Sequence, residues 1–297
     1  MGIEMMADGL AIVARGCHGD SSQINAISMI RDDAADGDQT KALTEFIEKN
    51  KLAKRLCHVV LGAQDYQLLL VEPPDVPEED VREAIRWRIK DLVSIPVASA
   101  VIDVFSLPAD GNRSTKKMLY VVVAEIGRIK SLIAMVKAAG LTLASIDIGE
   151  MALRNLALVK SGGQDDSRGV AIARIAEGGG TLALYKKGNL YLSRQFKLTY
   201  GGGLLDDLPG DMLALEIQRS LDYYERQMGM APPAQLFLCG ENISADKITQ
   251  NITRSLNVPT QFLELSLELG LAEDVDDGMV QLCLGALGGA YREALLQ

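Results

Sequence analysis

The sequence has little with which to build a metal or redox centre. Its four cysteines, Cys17, Cys57, Cys239 and Cys283, lie far apart with no CxxC spacing, and only His18 and His58 accompany them. A zinc site needs about four such ligands brought together, usually in closely spaced pairs, so no metal centre is expected. Cys57 and Cys239 stand in or beside apolar runs and read as small buried hydrophobes. Scattered thiols without a disulfide framework suit a reducing compartment. No apolar run approaches the roughly 20 residues of a membrane-spanning helix. The opening MGIEMMADG lacks the basic stretch and apolar core of a secretion signal. Positive charge is short as well: 30 Lys and Arg face 40 Asp and Glu, a net charge of −10. Nucleic-acid backbones and anionic bilayers both demand concentrated Lys and Arg, so neither is an expected partner. The one basic run is Arg82–Lys90.

What is present suffices for a large core. With 297 residues, 48% hydrophobic and 24% charged, the chain should fold into about two domains. Its most regular stretch is Val170–Gly203. VAIARI, TLALYKK and LYLSRQF read as three strands, joined by a turn at Glu177–Gly180 and a hairpin tip at Gly188–Asn189. Gly201–Gly203 ends the pattern, as a strand break or as a ligand hinge. A helix over Pro209–Gln227 and a buried strand, Leu236–Cys239, come next. Three antiparallel strands feeding a helix and then a buried strand is the core order of the ribonuclease-H-like fold, of which actin-like ATPases contain two units.

The first half echoes this order. Strands are expected at Leu10–Arg15, Gln23–Ile30, Cys57–Leu61 and Tyr66–Val71, with a helix over Lys41–Asn50. A stiff connector, Pro73–Pro77, leads to acidic residues Glu78–Asp80 at the start of a helix. That helix should run on as VREAIRWRIKDLV, with Val81, Ala84, Ile85, Ile89 and Leu92 on one face. Two strands, AVIDVFSL and MLYVVVAE, then a helix over Ile129–Ala139 closed by Gly140, a strand LTLASIDI and a helix over Glu150–Val159 complete this part. Ser161–Arg168 is the clearest linker. Near the end stand a helix over Ala245–Leu256, a strand PTQFLEL and a small-residue helix over Met279–Tyr291.

The run PEEDVREAIRWRIKDLVSIPVASAVIDV, followed by LYVVVAE, KAAGLTLASIDIGEMALRNL, EIQRSLDYYE and LCLGALGGAYR, resembles the PilM-like family of type IV pilus biogenesis proteins, most nearly its MshI-type branch; the cytoplasmic domain of GspL is a more remote relative. The resemblance covers roughly residues 55–293. It implies an α/β, actin-like fold of two ribonuclease-H-like lobes with a small inserted FtsA-like subdomain. The expected division is 1–72 plus 143–160 for the first lobe, 73–142 for the subdomain and 169–297 for the second lobe. It also implies a non-catalytic cytoplasmic scaffold at the inner-membrane face, serving an MSHA-type pilus platform and gripping the cytoplasmic tail of a PilN-like inner-membrane protein. Trp87 reads first as core packing of the small subdomain; the alternative is that Trp87, with Arg86 and Lys90, contacts that tail. Self-association into a homodimer stays open.

The same resemblance sets what a nucleotide site would require, and the residues depart from it. An Asp-x-Gly turn is expected in the first hairpin; IVARGCHGDSS puts Arg15-Gly16 there and Asp20 late. A second such turn reads ARIAEGGG, with Arg174 or Ala176 at the acid's place and Glu177-Gly178-Gly179 as a shifted substitute. The adenosine loop reads Cys239-Gly240-Glu241-Asn242. Weak or lost ATP binding is therefore expected, with no catalytic residues and no metal. If ATP with Mg²⁺ binds after all, Gly178, Gly179, Gly180, Glu216, Arg219, Gly240 and Asn242 are the residues to hold it, and the protein is a nucleotide-dependent switch. Each has a plainer reading: the glycines as turns, and Glu216, Arg219 and Asp222 as a solvated helix face. Asp147-x-Gly149 reads as a structural connection, and His18 has no partners for catalysis.

Overall fold

The computed structural model describes residues 1–16, 24–33, 37–111, 117–161, 168–201, 203, 207–248, 250–265, 268–269, 271 and 275–292. It opens with a strand that the sequence did not advertise. β1 (Gly2–Met6) turns through Ala7-Asp8 into β2 (Gly9–Arg15), which pairs with β3 (Ile24–Arg31). β1 carries an acid and a single β-branched residue, and Gly2–Met5 are all buried. A strand covered on both faces shows no polar–apolar alternation. α1 (Gln39–Lys49) starts where the Asp38 carboxylate accepts from the Lys41 N–H. β4 (Leu56–Val60) then lies parallel to β1.

The next stretch builds the small subdomain. β5 (Tyr66–Val71), β6 (Ala100–Ser106) and β7 (Leu119–Glu125) form an antiparallel sheet in the order β5-β7-β6. α2 (Val81–Ile89), entered through a 3₁₀ turn at Glu78–Asp80, covers it with Ile85 and Ile89. These two side chains are fully buried, each worth about 1.5–3 kcal/mol. The helix stops at Ile89, short of the expected Val93: the Leu92 N–H closes a turn onto Ile89, and Leu92 is 56% exposed, off the apolar face. α3 (Ile126–Ala138) ends as expected. Gly140 takes φ +73°, its N–H bonds Lys137 and the Leu141 N–H bonds Val136, closing the helix in a Schellman motif. β8 (Thr142–Asp147) and α4 (Gly149–Lys160) follow.

The second lobe begins with β9 (Val170–Ala176), β10 (Gly179–Lys186) and β11 (Asn189–Lys197), in the expected order. The β10–β11 tip lies one residue earlier than read. Lys187 and Gly188 both have positive φ, +53° and +64°, the two-residue turn that suits strand twist, and Asn189 is already paired with Lys186. α5 (Gly210–Arg226), β12 (Gln235–Gly240), α6 (Gln250–Ser255) and β13 (Thr260–Phe262) come next. α6 is shorter than the expected helix; a separate 3₁₀ turn occupies Ala245–Lys247. The final helix is two, α7 (Asp277–Leu282) and α8 (Leu284–Ala290), broken at Cys283.

The two large sheets share one plan. Their orders are β3-β2-β1-β4-β8 and β11-β10-β9-β12-β13, antiparallel through the first three strands and parallel thereafter. β1 and β9 are thus counterparts. β5 belongs to the subdomain sheet, so that sheet starts at Tyr66 rather than after residue 72. α3 buries Leu132, Met135 and Val136 in the first lobe's core beside Leu43 and Ile47. α8 returns to the first lobe: a Cβ on Gly2 would stand 1.9 Å from the Ala286 carbonyl oxygen, and one on Gly288 2.1 Å from that of Ala152 in α4.

Candidate functional site

The lobes meet at their counterpart strands. Glu4 lies two residues before the end of β1, and Arg174 two residues before the end of β9. The two side chains bond across the junction, Arg174 Nη1 to Glu4 Oε1 and Nη2 to Oε2 at 3.0 Å. The Gly285 N–H of α8 adds a donor to Glu4 Oε2 at 3.1 Å. The Glu4 side chain is 6% exposed and that of Arg174 21%. A guanidinium fork matches a carboxylate in this two-point geometry. Burial works against the charged Arg174, but the charge and hydrogen bonds of Glu4 together outweigh it and hold its pKa above the ordinary value. Arg174 stands where the second motif's acid was sought. Glu4 was missed because β1 was. Arg15-Gly16, expected at the first hairpin, instead ends β2. There Arg15 lies 3.9 Å over the Tyr291 ring and donates to the Ala290 carbonyl at 3.2 Å. His18 and Asp20 fall outside the described residues.

The glycines named for a nucleotide, should one bind, are engaged by the protein. Gly178 is the β9–β10 turn residue at φ +74°; its N–H bonds the Tyr200 carbonyl and its own carbonyl accepts from Leu198. Gly179 and Gly180, read as part of that turn, are paired inside β10. A Cβ would meet the Phe196 carbonyl oxygen at 2.2 Å from Gly179 and that of Arg174 at 2.6 Å from Gly180, so both are needed for close strand approach. Gly240 has φ +128° and gives its N–H to Gln281 Oε1 at 3.0 Å. Asn242 follows at φ +54°. On α5, Glu216 and Arg219 bond each other, and Asp222 accepts from Gln218 at 2.8 Å. Among the described residues no three His, Cys, Asp or Glu side chains converge as metal ligands. The Gly178 and Gly240 N–H donors and the Glu4 carboxylate have partners within the protein.

A second polar cluster ties the subdomain to both lobes. Glu150, 3% exposed on α4, accepts from the Tyr66 hydroxyl at 2.6 Å and the Ser193 hydroxyl at 2.9 Å, while its carbonyl accepts from Tyr185 at 2.7 Å. Burial first, then the Glu150 charge, pushes the Tyr66 hydroxyl well above its usual pKa. Tyr120 donates to the Tyr191 carbonyl at 3.0 Å. Asp110 accepts from the Tyr191 hydroxyl at 2.7 Å and pairs with Lys186; these hold its pKa below the usual value. Asp147 accepts from Arg292 at 2.8 Å, and burial raises its pKa against that partner's pull.

The outer face of the subdomain is different. Trp87 is 77% exposed, so the core reading of this side chain is wrong. Lys90 is exposed too. Arg86, grouped with them from sequence, is turned inward; its Nη1 donates to the carbonyls of Val97 at 2.9 Å and Ala100 at 3.3 Å. Leu92, expected on the buried face, is exposed instead, as is Val101 at 39%.

No protein-family model matches the chain, and no curated protein matches it. Solved structures do. A PilM-PilN type IV pilus biogenesis complex is 17% identical, with a TM-score of 0.69 over 99% of this chain and 97% of that one. The cytoplasmic domain of EpsL, an inner-membrane component of the type II secretion system of Vibrio cholerae, is 12% identical, with a TM-score of 0.56 over 90% and 91%. A Bacteroides thetaiotaomicron protein with an actin-like ATPase fold and unknown function is 10% identical, with a TM-score of 0.54 over 95% and 94%. The fold is therefore actin-like, with two sheets of one plan and a small added subdomain.

Proposed function

We propose that this chain is a non-catalytic scaffold of an assembly platform, of the MSHA-type pilus in particular, working on the cytoplasmic face of the inner membrane. Its task is to hold the cytoplasmic tail of a PilN-like membrane protein. The observation that carries this reading is the likeness to a PilM-PilN complex along the whole of both chains, small subdomain included. No helix among the described residues is long and apolar enough to cross a membrane, which is consistent with a protein recruited to a membrane partner. The exposed tryptophan adds chemistry. A large aromatic left 77% exposed is typical of the anchors that dominate binding energy. We assign the contact to Trp87, Lys90 and Leu92, with Arg86 as a brace beneath them.

The test is a titration with a labelled peptide copied from the cytoplasmic tail of the PilN-like protein of the same organism. The wild-type chain should bind it. Trp87→Ala should weaken binding by about tenfold or more while leaving the thermal melt unchanged, because the side chain is exposed. Absence of wild-type binding overturns the reading. Equal affinity of the variant removes Trp87 from it.

A further inference from the structure

The junction of the two lobes is bridged by residues that a repeated plan places in register. Glu4 and Arg174 have the same position relative to the hairpins that end β1 and β9. One lobe supplies the anion and the other the cation. α8, which crosses from the second lobe onto the first, adds the Gly285 N–H to the same carboxylate. The pair is largely buried, so each charge depends on the other; removing one strands its partner in a poorly solvated place. At the rim, Arg31 of β3 reaches Glu241 at 3.3 Å, but both are open to water and contribute little. Of the two ion pairs at the junction the buried one therefore carries more, beside the Glu150 contacts to Ser193 and Tyr185 and the apolar core that both lobes share.

We propose that Glu4–Arg174 is an internal lock, standing in the interlobe junction in place of a ligand and keeping the two lobes in one arrangement whether or not nucleotide is present. A phosphate entering this junction would have to separate Arg174 from Glu4 and then sit against the carboxylate. It would find the nearby glycine donors already bonded to Tyr200 and Gln281. The lock makes the molecule one rigid body rather than two lobes that open and close. The proposal is independent of the partner reading: a failed peptide titration leaves it intact.

The experiment measures the distance between spin labels on Glu48→Cys of α1 and Arg226→Cys of α5, both exposed, in the full chain carrying Cys17→Ser. The expected wild-type distribution is single and narrow, and unchanged by millimolar Mg²⁺-ATP. In an otherwise identical chain carrying Glu4→Gln with Arg174→Met, which removes both charges together and so leaves none stranded, the distribution should broaden or gain a second distance. A shift of the wild-type distance on adding Mg²⁺-ATP overturns the proposal. So does a double variant as narrow as the wild type. The wild-type arm needs no substitution in the lock, so the lock stays testable even if the double variant does not fold.

Discussion

Glu150 is a carboxylate with almost no water, placed in the first turn of α4, where the helix end favours negative charge. Its two oxygens divide their donors, Tyr66 on one and Ser193 on the other. Tyr66→Phe removes the shorter bond and keeps the ring, leaving a buried acceptor undersupplied. The expected cost is about 1–3 kcal/mol, read as a lower urea midpoint with an unchanged slope; an unmoved midpoint would show that this bond carries no net stability. How much of the site could be read in advance differs from residue to residue. Arg174 was visible as a cation where an acid was sought. Glu4 was not, because its strand lacked alternation. Trp87 could have been placed better: Ile85 and Ile89 define the buried face of α2, and Trp87 stands two residues on from Ile85, about 200° around the helix. The glycines left two readings open for a simple reason. Close strand approach and close ligand approach demand the same missing Cβ.

At the scale of elements, the crossing of α4 and α8 sets the spacing of the core. α8 reads LGALGGA, and each glycine makes room for a neighbour: Gly288 for the Ala152 carbonyl, Gly285 for the Glu4 carboxylate, and Gly289 for the Val60 side chain and the Gly2 backbone. Gly288→Ala would push a methyl to 2.1 Å from the Ala152 oxygen, so one helix must shift. We expect destabilisation of about 1–3 kcal/mol from overpacking, despite alanine's better helix propensity. Thermal denaturation checks the sign, since a rise in Tm would mean the helices separate freely. The small-residue composition of this helix was plain from sequence. Its break at Cys283 and its choice of the first lobe were not, because periodicity shows that a face is buried and not what buries it.

The whole molecule carries a signature at high pH. Burial pushes the thiols of Cys57, Cys239 and Cys283 up to about 12 from an ordinary 9.0, and burial likewise raises the hydroxyls of Tyr66, Tyr120 and Tyr185. The unfolded chain loses these protons first. Stability from the thiols is therefore complete below about pH 9 and falls as pH climbs toward 12. Urea midpoints taken between neutral pH and about pH 11 should drop steeply; a flat profile would mean the thiols are reached by water. The shared sheet plan was legible in the second lobe, whose three strands alternate and turn on glycine. It was only half legible in the first, where the central strand gives no periodic signal.

The return of α8 to β1 has a consequence in time. α8 covers β1 from 281 residues further along the chain, and Gly2 touches Ala286. Synthesis of that stretch at about 5–20 residues per second takes on the order of tens of seconds. Throughout it one face of β1 lacks its cover, and Glu4 lacks both Arg174 and the Gly285 N–H. Contacts this distant in sequence also slow the search for the folded state. The first lobe's sheet therefore waits on α8 before its core is closed.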